Sequence, residues 1–281
     1  MADCQQQMAV YKPTITVTSI EGGLQEGKSV IIIGRILPDS NRLHVNLQCG
    51  SDPEADVALH INPHYKDGSE HIVYNTYQNR SWGSGQSTPD SPFVKDKLFA
   101  IEILVTKEAY KISANGKHLI NYKHRIPVTQ VNTISVDQDN KLEFIAYQKS
   151  VVVPYKTLIK GGLQAGNAIL IYGVPNTDSK RVEFNLRHRN GIAFHYLSLF
   201  DENVVVRNTS ENGIWGAEER SRDVPFIKGQ LFQVKISCSA EQYEVSVNGQ
   251  QAHTYKHRFT KLEDIDVFEV YGQLKLIFVH V

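Results

Sequence analysis

The chain has 281 residues, with 30 Lys and Arg against 30 Asp and Glu and no net formal charge. That length suits two domains of about 140 residues each. The charge balance, with no basic stripe interleaved with aromatics, argues against nucleic acid and gives no support to an acidic or membrane-surface partner.

A hydrophobic content of 41% and a charged content of 21% are those of an ordinary water-soluble domain. Cys4, Cys49 and Cys238 lie far apart and make no Cys-x-x-Cys or zinc-type spacing, so neither a metal nor a cofactor is implied. Isolated, reduced thiols fit a cytosolic birthplace. Residues 1–12 are polar and lack the apolar centre of a secretory signal. The longest apolar run, around residues 29–33, is far too short to span a bilayer, so membrane insertion is not expected.

In chain order, residues 30–36 form a short β-branched run bounded by Gly27 and Pro38, which predicts a strand. His60, Asn62 and His64 follow at a spacing of two, so on a strand they share one face while Leu59 and Ile61 turn to the core. Val73-Tyr74-Asn75 and Trp82-Gly83 come next. Residues 100–106 are rich in strand formers, and Tyr110-Lys111-Ile112-Ser113 alternates as a half-buried strand does. Asn115-Gly116 supplies the positive φ of a tight hairpin, and residues 119–122 return. Residues 141–147 read as the last strand of the first domain. Val153-Pro154-Tyr155 then opens a second, much as Val10-Tyr11-Lys12-Pro13 opens the first.

The second half repeats the first. Gly22-Gly23-Leu24-Gln25 recurs as Gly161-Gly162-Leu163-Gln164, and Val45-Asn46-Leu47 as Phe184-Asn185-Leu186, both 139 residues on. Asn115-Gly116 recurs as Asn248-Gly249, and Tyr122-Lys123-His124-Arg125 as Tyr255-Lys256-His257-Arg258, both 133 residues on. The second copy has therefore lost a few residues, expected in the loop after Asn46. Two long copies mean two complete domains, 1–149 and 150–281, joined by a short connection without a Gly/Ser or Pro-rich linker. No segment carries a sustained helical stripe with caps. Short strands with frequent turn signals predict an all-β protein built of antiparallel sandwiches.

Each copy gathers a His, an Asn and a Trp within strand-like sequence: His60, Asn75 and Trp82 in the first, His195, Asn208 and Trp215 in the second. A Trp offers a flat apolar face to the C–H side of a sugar ring, and His and Asn exchange hydrogen bonds with hydroxyls. The order His-x-Asn-Pro, Val-x-Asn, Trp-Gly-x-Glu-x-Arg resembles the galectins, the β-galactoside-binding lectins, twice over. The chain is thus similar to a tandem-repeat galectin. That resemblance implies two galectin-type jelly-roll β-sandwich domains. It also implies that His60, Asn62 and His64 read the axial hydroxyl of galactose, Asn75 its 6-hydroxyl, and Trp82 its apolar face. His64 stands where the family has Arg, Gly85 where it has Glu and Ser87 where it has a second Arg. The second copy keeps His195, Asn208, Trp215, Glu218 and Arg220, but has Leu197 and Leu199 in place of the galactose-facing Asn and Arg. The two halves are complementary in what they lack.

The sequence holds no Gly-x-Ser-x-Gly, no phosphate-binding loop and no carboxylate pair set across a glycosidic bond, so an enzyme is not expected. The leading expectation is a bivalent lectin for galactose-containing glycans, with a non-standard site in each half. Its partners would be glycoproteins or glycolipids at cell surfaces. The resemblance adds unconventional secretion from the cytoplasm to the extracellular space. The alternative is a galectin-fold protein that has lost galactoside binding and serves as a protein-interaction module. Whether chains self-associate stays open.

Overall fold

In the computed structural model the described residues are 17–40, 43–64, 71–89, 91–136 and 141–281. Cys4 and the 10–13 opening of the first repeat lie outside them. The chain divides into two compact units, Met1–Ser150 and Val151–Val281.

The described residues of the first unit form twelve strands: β1 (Val17–Ser19), β2 (Lys28–Arg35), β3 (Val45–Gln48), β4 (Val57–His64), β5 (His71–Gln78), β6 (Ser81–Trp82), β7 (Gln86–Pro89), β8 (Leu98–Val105), β9 (Ala109–Ala114), β10 (Lys117–Lys123), β11 (Thr133–Val136) and β12 (Lys141–Lys149). One sheet runs β1-β11-β3-β4-β5-β6, with β7 also pairing β5, and the other runs β10-β9-β8-β2-β12. The second unit repeats this with β13 (Tyr155–Leu158), β14 (Ala168–Pro175), β15 (Arg181–His188), β16 (Gly191–Leu199), β17 (Val204–Glu211), β18 (Ile214–Trp215), β19 (Glu219–Arg222), β20 (Phe232–Cys238), β21 (Gln242–Val247), β22 (Gln250–Lys256), β23 (Ile265–Gly272) and β24 (Leu274–His280). Its sheets run β13-β23-β15-β16-β17-β18, with β19 on β17, and β22-β21-β20-β14-β24. Every pairing is antiparallel, so the fold is all-β, two two-sheet sandwiches in tandem. Among the described residues the only helical turns are two short 3-10 segments, Val128–Gln130 and Leu262–Asp264.

Alternation makes the sandwich. From Leu59 on β4 and His71 on β5 the side chains alternate, with Leu59, Ile61, Ile72 and Tyr74 buried and His60, Asn62, His71, Val73 and Asn75 turned outward. The buried set joins Val30, Ile32, Ile101, Ile103 and Ile112 of the opposing sheet in one core, and a second core forms likewise around Phe184, Phe194, Tyr196, Val234 and Val245. Asn115 and Gly116 take φ of 48° and 79°, and Asn248 and Gly249 take 52° and 84°, the left-handed values that a two-residue hairpin requires. The residues missing from the second copy are lost at two places, not one. His60 follows Asn46 by 14 residues where His195 follows Asn185 by 10, and the β4–β5 connection is also longer than the β16–β17 one.

Each sandwich carries the same polar tie through its interior. Thr76 Oγ1 donates to Ala58 O at 3.0 Å and meets Tyr122 Oη of the other sheet at 2.8 Å. Thr209 does the same with Ala193 O at 2.9 Å and Tyr255 Oη at 2.8 Å. Thr76→Val keeps the shape but leaves a buried carbonyl and a phenol unpaired, at a cost of about 2 kcal/mol. Urea unfolding followed by Trp82 fluorescence in a Trp215→Phe chain should show that loss; an unchanged midpoint would mean that water takes over both bonds. His124 and His257 also act alike: their Nε2 atoms bond Thr106 O at 2.9 Å and Ser239 O at 3.0 Å, and each ring meets a Tyr edge-on at 4.3 Å. That matched pair fits a shared structural role.

Candidate functional site

The outward face of β3–β7 presents polar residues in rows set by strand register. The first row is Asn46, His60 and Asn75, cross-strand partners on β3, β4 and β5. The next is Asn62, Val73 and Ser87, and the third His64, His71 and Pro89. Trp82 stands one row beyond the first, paired with Tyr77, and its ring lies 4.9 Å from that of His60 at 57°. The indole is 52% exposed, an unusual placement for so large an apolar group unless a ligand covers it. All five residues singled out in the first copy, His60, Asn62, His64, Asn75 and Trp82, therefore share one face, with His64 and Trp82 at its margins.

The second domain reproduces the first row closely. Asn185, His195 and Asn208 are cross-strand partners, and the His195–Trp215 rings lie 4.9 Å apart at 58°. Its second row reads Leu197, Val206 and Arg220, and its third Leu199, Val204 and Arg222. Where the first domain offers Asn62 and His64, the second offers an aliphatic strip. A sugar hydroxyl pressed on that strip would lose its partner, at about 1–3 kcal/mol. Across the strip Arg220 Nη1 bonds Glu218 at 2.9 Å, and Nη2 bonds Glu202 at 2.8 Å. The guanidinium thus bridges two carboxylates. Glu219 points the other way and takes Arg258 at 3.0 Å. In the first domain Gly85 and Ser87 leave this margin without charge. Arg80 pairs instead with Glu54 at 2.9 Å, both strongly exposed, beside an open groove of about 550 Å³ that also touches His44, Gln48, His60 and Trp82.

Several residues that set the site were not singled out by the motif. Asn46 Oδ1 lies 2.6 Å from His60 Nδ1, and Asn185 Oδ1 lies 2.7 Å from His195 Nδ1. In the second domain Asn185 Nδ2 donates to Glu183 at 2.8 Å, which fixes the amide's orientation. The imidazole proton then sits on Nδ1, and Nε2 keeps a lone pair for a hydroxyl donor. Asn75 and Asn208 are partly committed to the protein. Each Oδ1 accepts the next residue's N–H at 2.8 Å, and each Nδ2 donates to the carbonyl of Gly83 or Gly216 at 3.0 Å. One Nδ2 hydrogen of Asn75 remains for a ligand. Arg125 and Arg258 reach the same Oδ1 atoms at 3.4 and 3.2 Å. A Cβ on Gly83 or Gly216 would meet those guanidinium groups at 2.9 or 3.0 Å, so the glycine after each Trp keeps room for the arginine. The recurrence of Asn46 as Asn185 and of Arg125 as Arg258 is the signal in the sequence that marks these supports.

Burial, then the neighbouring His44 and His64, pushes the His60 imidazole down to about 4. Burial also lowers His195, but there Glu183, its carboxylate 3.8 Å from Nδ1, and then Glu218 pull the other way. The unfolded chain protonates His60 near the ordinary imidazole value of 6.5, whereas the folded chain resists until about 4. The stability of the first domain is therefore full above the unfolded value and is lost as pH falls toward the folded one, by about 2 kcal/mol near pH 4.5. Trp82-monitored unfolding of the Trp215→Phe chain should show this fall, and His60→Gln should flatten it; an equal fall in both would place the proton uptake elsewhere.

Among the described residues no group of three or more His, Cys, Asp or Glu is arranged to hold a metal ion, and no helix is long and apolar enough to cross a membrane. A family model described as galactoside-binding lectin matches residues 15–147 and again 154–281. The chain is 33% identical to Galectin-4 of Sus scrofa and 32% identical to Galectin-8 of Rattus norvegicus, in both cases over 96% of each chain. It is 31% identical to the 32 kDa beta-galactoside-binding lectin of Haemonchus contortus over 94% of each. Two consecutive domain matches, end-to-end relatives and a twofold-repeated His–Asn–Trp face agree: the chain belongs to the galactoside-binding lectin family, with two such domains in tandem.

Proposed function

We propose that this protein is a bivalent lectin for galactose-containing glycans in which the first domain carries the principal galactoside site. The observation behind this is the first-domain face, where a half-exposed Trp82 stands over a row of Asn46, His60 and Asn75 with Asn62 alongside. The indole covers the apolar side of the ring. His60 Nε2 accepts one hydroxyl, while Asn62 and the remaining Nδ2 hydrogen of Asn75 serve others. Without carboxylate and guanidinium at Gly85 and Ser87, the hold on a neighbouring sugar is weak. The second domain keeps the Trp215 platform and the Glu218–Arg220–Glu202 bridge, and its leucines shift its preference away from plain galactosides.

Two sites in one chain cross-link glycans and raise avidity when both engage. Glycoproteins and glycolipids at cell surfaces are the ligands this implies, reached by unconventional export from the cytoplasm. Calorimetric titration of lactose into the full chain should find one dominant site per chain. No heat at all from folded protein would overturn the galactoside reading. A second reading, a protein-interaction module, draws on Leu197, Leu199, Val204 and Val206, which give the second domain an aliphatic face where the first is polar.

A further inference from the structure

At one end of the second sandwich a cavity of about 730 Å³ opens between the β15–β16 turn, the β17–β18 turn, the segment after β22 and the start of β23. Four carboxylates line it, Glu211, Glu263, Asp264 and Asp266. So does the buried His188, against which the Phe259 ring lies flat, centroids 3.9 Å apart at 16°. We propose that this cavity is a docking site for an arginine side chain of a partner polypeptide. It stands whether or not either domain takes a galactoside.

The charges around the cavity leave a negative surplus. Of the three cations that line it, Arg258 is already bound to Glu219 at 3.0 Å and to the Ala217 carbonyl at 2.7 Å. Arg189 and Lys261 remain against four carboxylates, and among the described residues no ion pair joins either of them to any of the four. Burial is the largest influence on His188 and pushes its imidazole below the ordinary value, so the ring adds no charge at neutral pH. Glu211 and Asp264 act the other way, Arg187 acts with burial, and Asp266 again acts against it, so three of the carboxylates gather within electrostatic reach of one ring. The first domain has no such cluster. By strand register and turn bonds, its positions matching His188, Glu211, Phe259, Asp264 and Asp266 hold Cys49, Gln78, Ile126, Gln130 and Asn132.

His188 shows what else the occupant brings. It is 8% exposed, its Nδ1 accepts the Asn190 N–H at 3.4 Å, and its Nε2 has no partner. The proton therefore sits on Nε2, a buried donor without an acceptor, which folded proteins rarely leave unmatched. A bare cation cannot supply that acceptor, whereas a peptide carries main-chain carbonyls on either side of its arginine. Phe259 is half-buried, with one face on the imidazole. Its other face suits a planar guanidinium, which stacks on rings and forks onto carboxylates, better than a compact ammonium. Two-pronged bonds from a guanidinium to carboxylates are charge-assisted, and the surplus of carboxylates here provides for them.

The test is an NMR titration of the isotope-labelled full chain with an acetylated, amidated Gly-Arg-Gly peptide. The amide signals of Glu211, Asp264 and Asp266 and the ring signals of His188 should shift saturably. Replacing the arginine with citrulline, its uncharged isostere, should weaken binding at least about tenfold. Lysine in its place should cost about threefold to tenfold, and Phe259→Leu should remove most of that preference. Glu211→Gln with Asp264→Asn should abolish saturation. Both side chains are exposed, so signals remote from the cavity should stay where they are. No saturable shift at about 50 mM peptide, citrulline equal to arginine, or binding that survives the double variant would overturn the proposal. Ethylguanidinium bound as tightly as the peptide would overturn it too, by making the cavity a site for a bare cation.

Discussion

Replacing Trp82 with alanine is expected to weaken lactose binding by the full chain about fiftyfold while leaving the fold intact. A sugar ring stacked on the indole removes roughly 100 Å² of apolar surface from water, about 2.5 kcal/mol, and each 1.4 kcal/mol is tenfold in affinity. The fold barely notices because the side chain is 52% exposed and lies outside the buried core cluster. Its ring contacts with His60 at 4.9 Å and Tyr77 at 5.2 Å are lost. The control is Trp215→Ala. The two tryptophans hold matched poses over their histidines, so a purely generic role for an exposed indole would make the two substitutions equivalent. The leucine strip beyond His195 predicts that they are not: lactose affinity should fall with Trp82 and stay nearly constant with Trp215. Equal losses would mean that the second domain carries a galactoside site of comparable strength. No loss in either would remove the stacking model.

The fold was legible because repetition and alternation are written directly in the side chains. Val30 to Ile36, Tyr110 to Ser113 and the two Asn-Gly turns each commit the local backbone without reference to distant residues, and the strands form where that pattern places them. The His60–Asn62–His64 face was legible for the same reason, since a period of two puts them on one side of β4. The supports were not. Asn46, Arg125 and Glu202 reach the site only through pairings between strands distant in sequence, and nothing local distinguishes them from any exposed polar residue. Asn46 meets His60 because β3 pairs with β4 in one register, and Arg220 finds Glu202 because the β16–β17 connection folds beside β19. The placement of the Glu54–Arg80 pair depends on the long β3–β4 connection, which has no counterpart in the second domain, so its repeat partner gave no guide. The two-step shortening of the second copy is written in the spacing of the motif residues themselves, since the offset is 139 from Asn46 to Asn185, 135 from His60 to His195 and 133 from Asn75 to Asn208.

Giving the second domain the first domain's residues, Leu197→Asn with Leu199→His, is expected to raise its lactose affinity about tenfold to hundredfold, read in a full chain carrying Trp82→Ala. The backbone needs no change. Leu197 and Leu199 occupy the register of Asn62 and His64, opposite Val206 and Val204 where the first domain has Val73 and His71. Both leucines are only half-buried, so polar replacements keep their access to water. Each restored hydrogen bond contributes about 0.5–1.5 kcal/mol, and each sugar hydroxyl that no longer faces an aliphatic wall avoids a penalty of about 1–3 kcal/mol. The rest of the site is already built: Trp215 and His195 hold the same pose as their counterparts, and Asn208 makes the same loop bonds as Asn75. The retained Glu218 and Arg220 would then meet a galactoside for which the first domain has no equivalent charge. The converted domain should therefore equal or exceed the first in affinity. If lactose affinity does not rise, the leucines are not what closes the site. The obstruction then falls to Glu183, which stands where the first domain has His44 and holds its carboxylate 3.8 Å from His195 Nδ1. In that case Glu183→His added to the same background, and not the leucine replacements, becomes the change that decides between a galactoside site and a surface given over to another ligand.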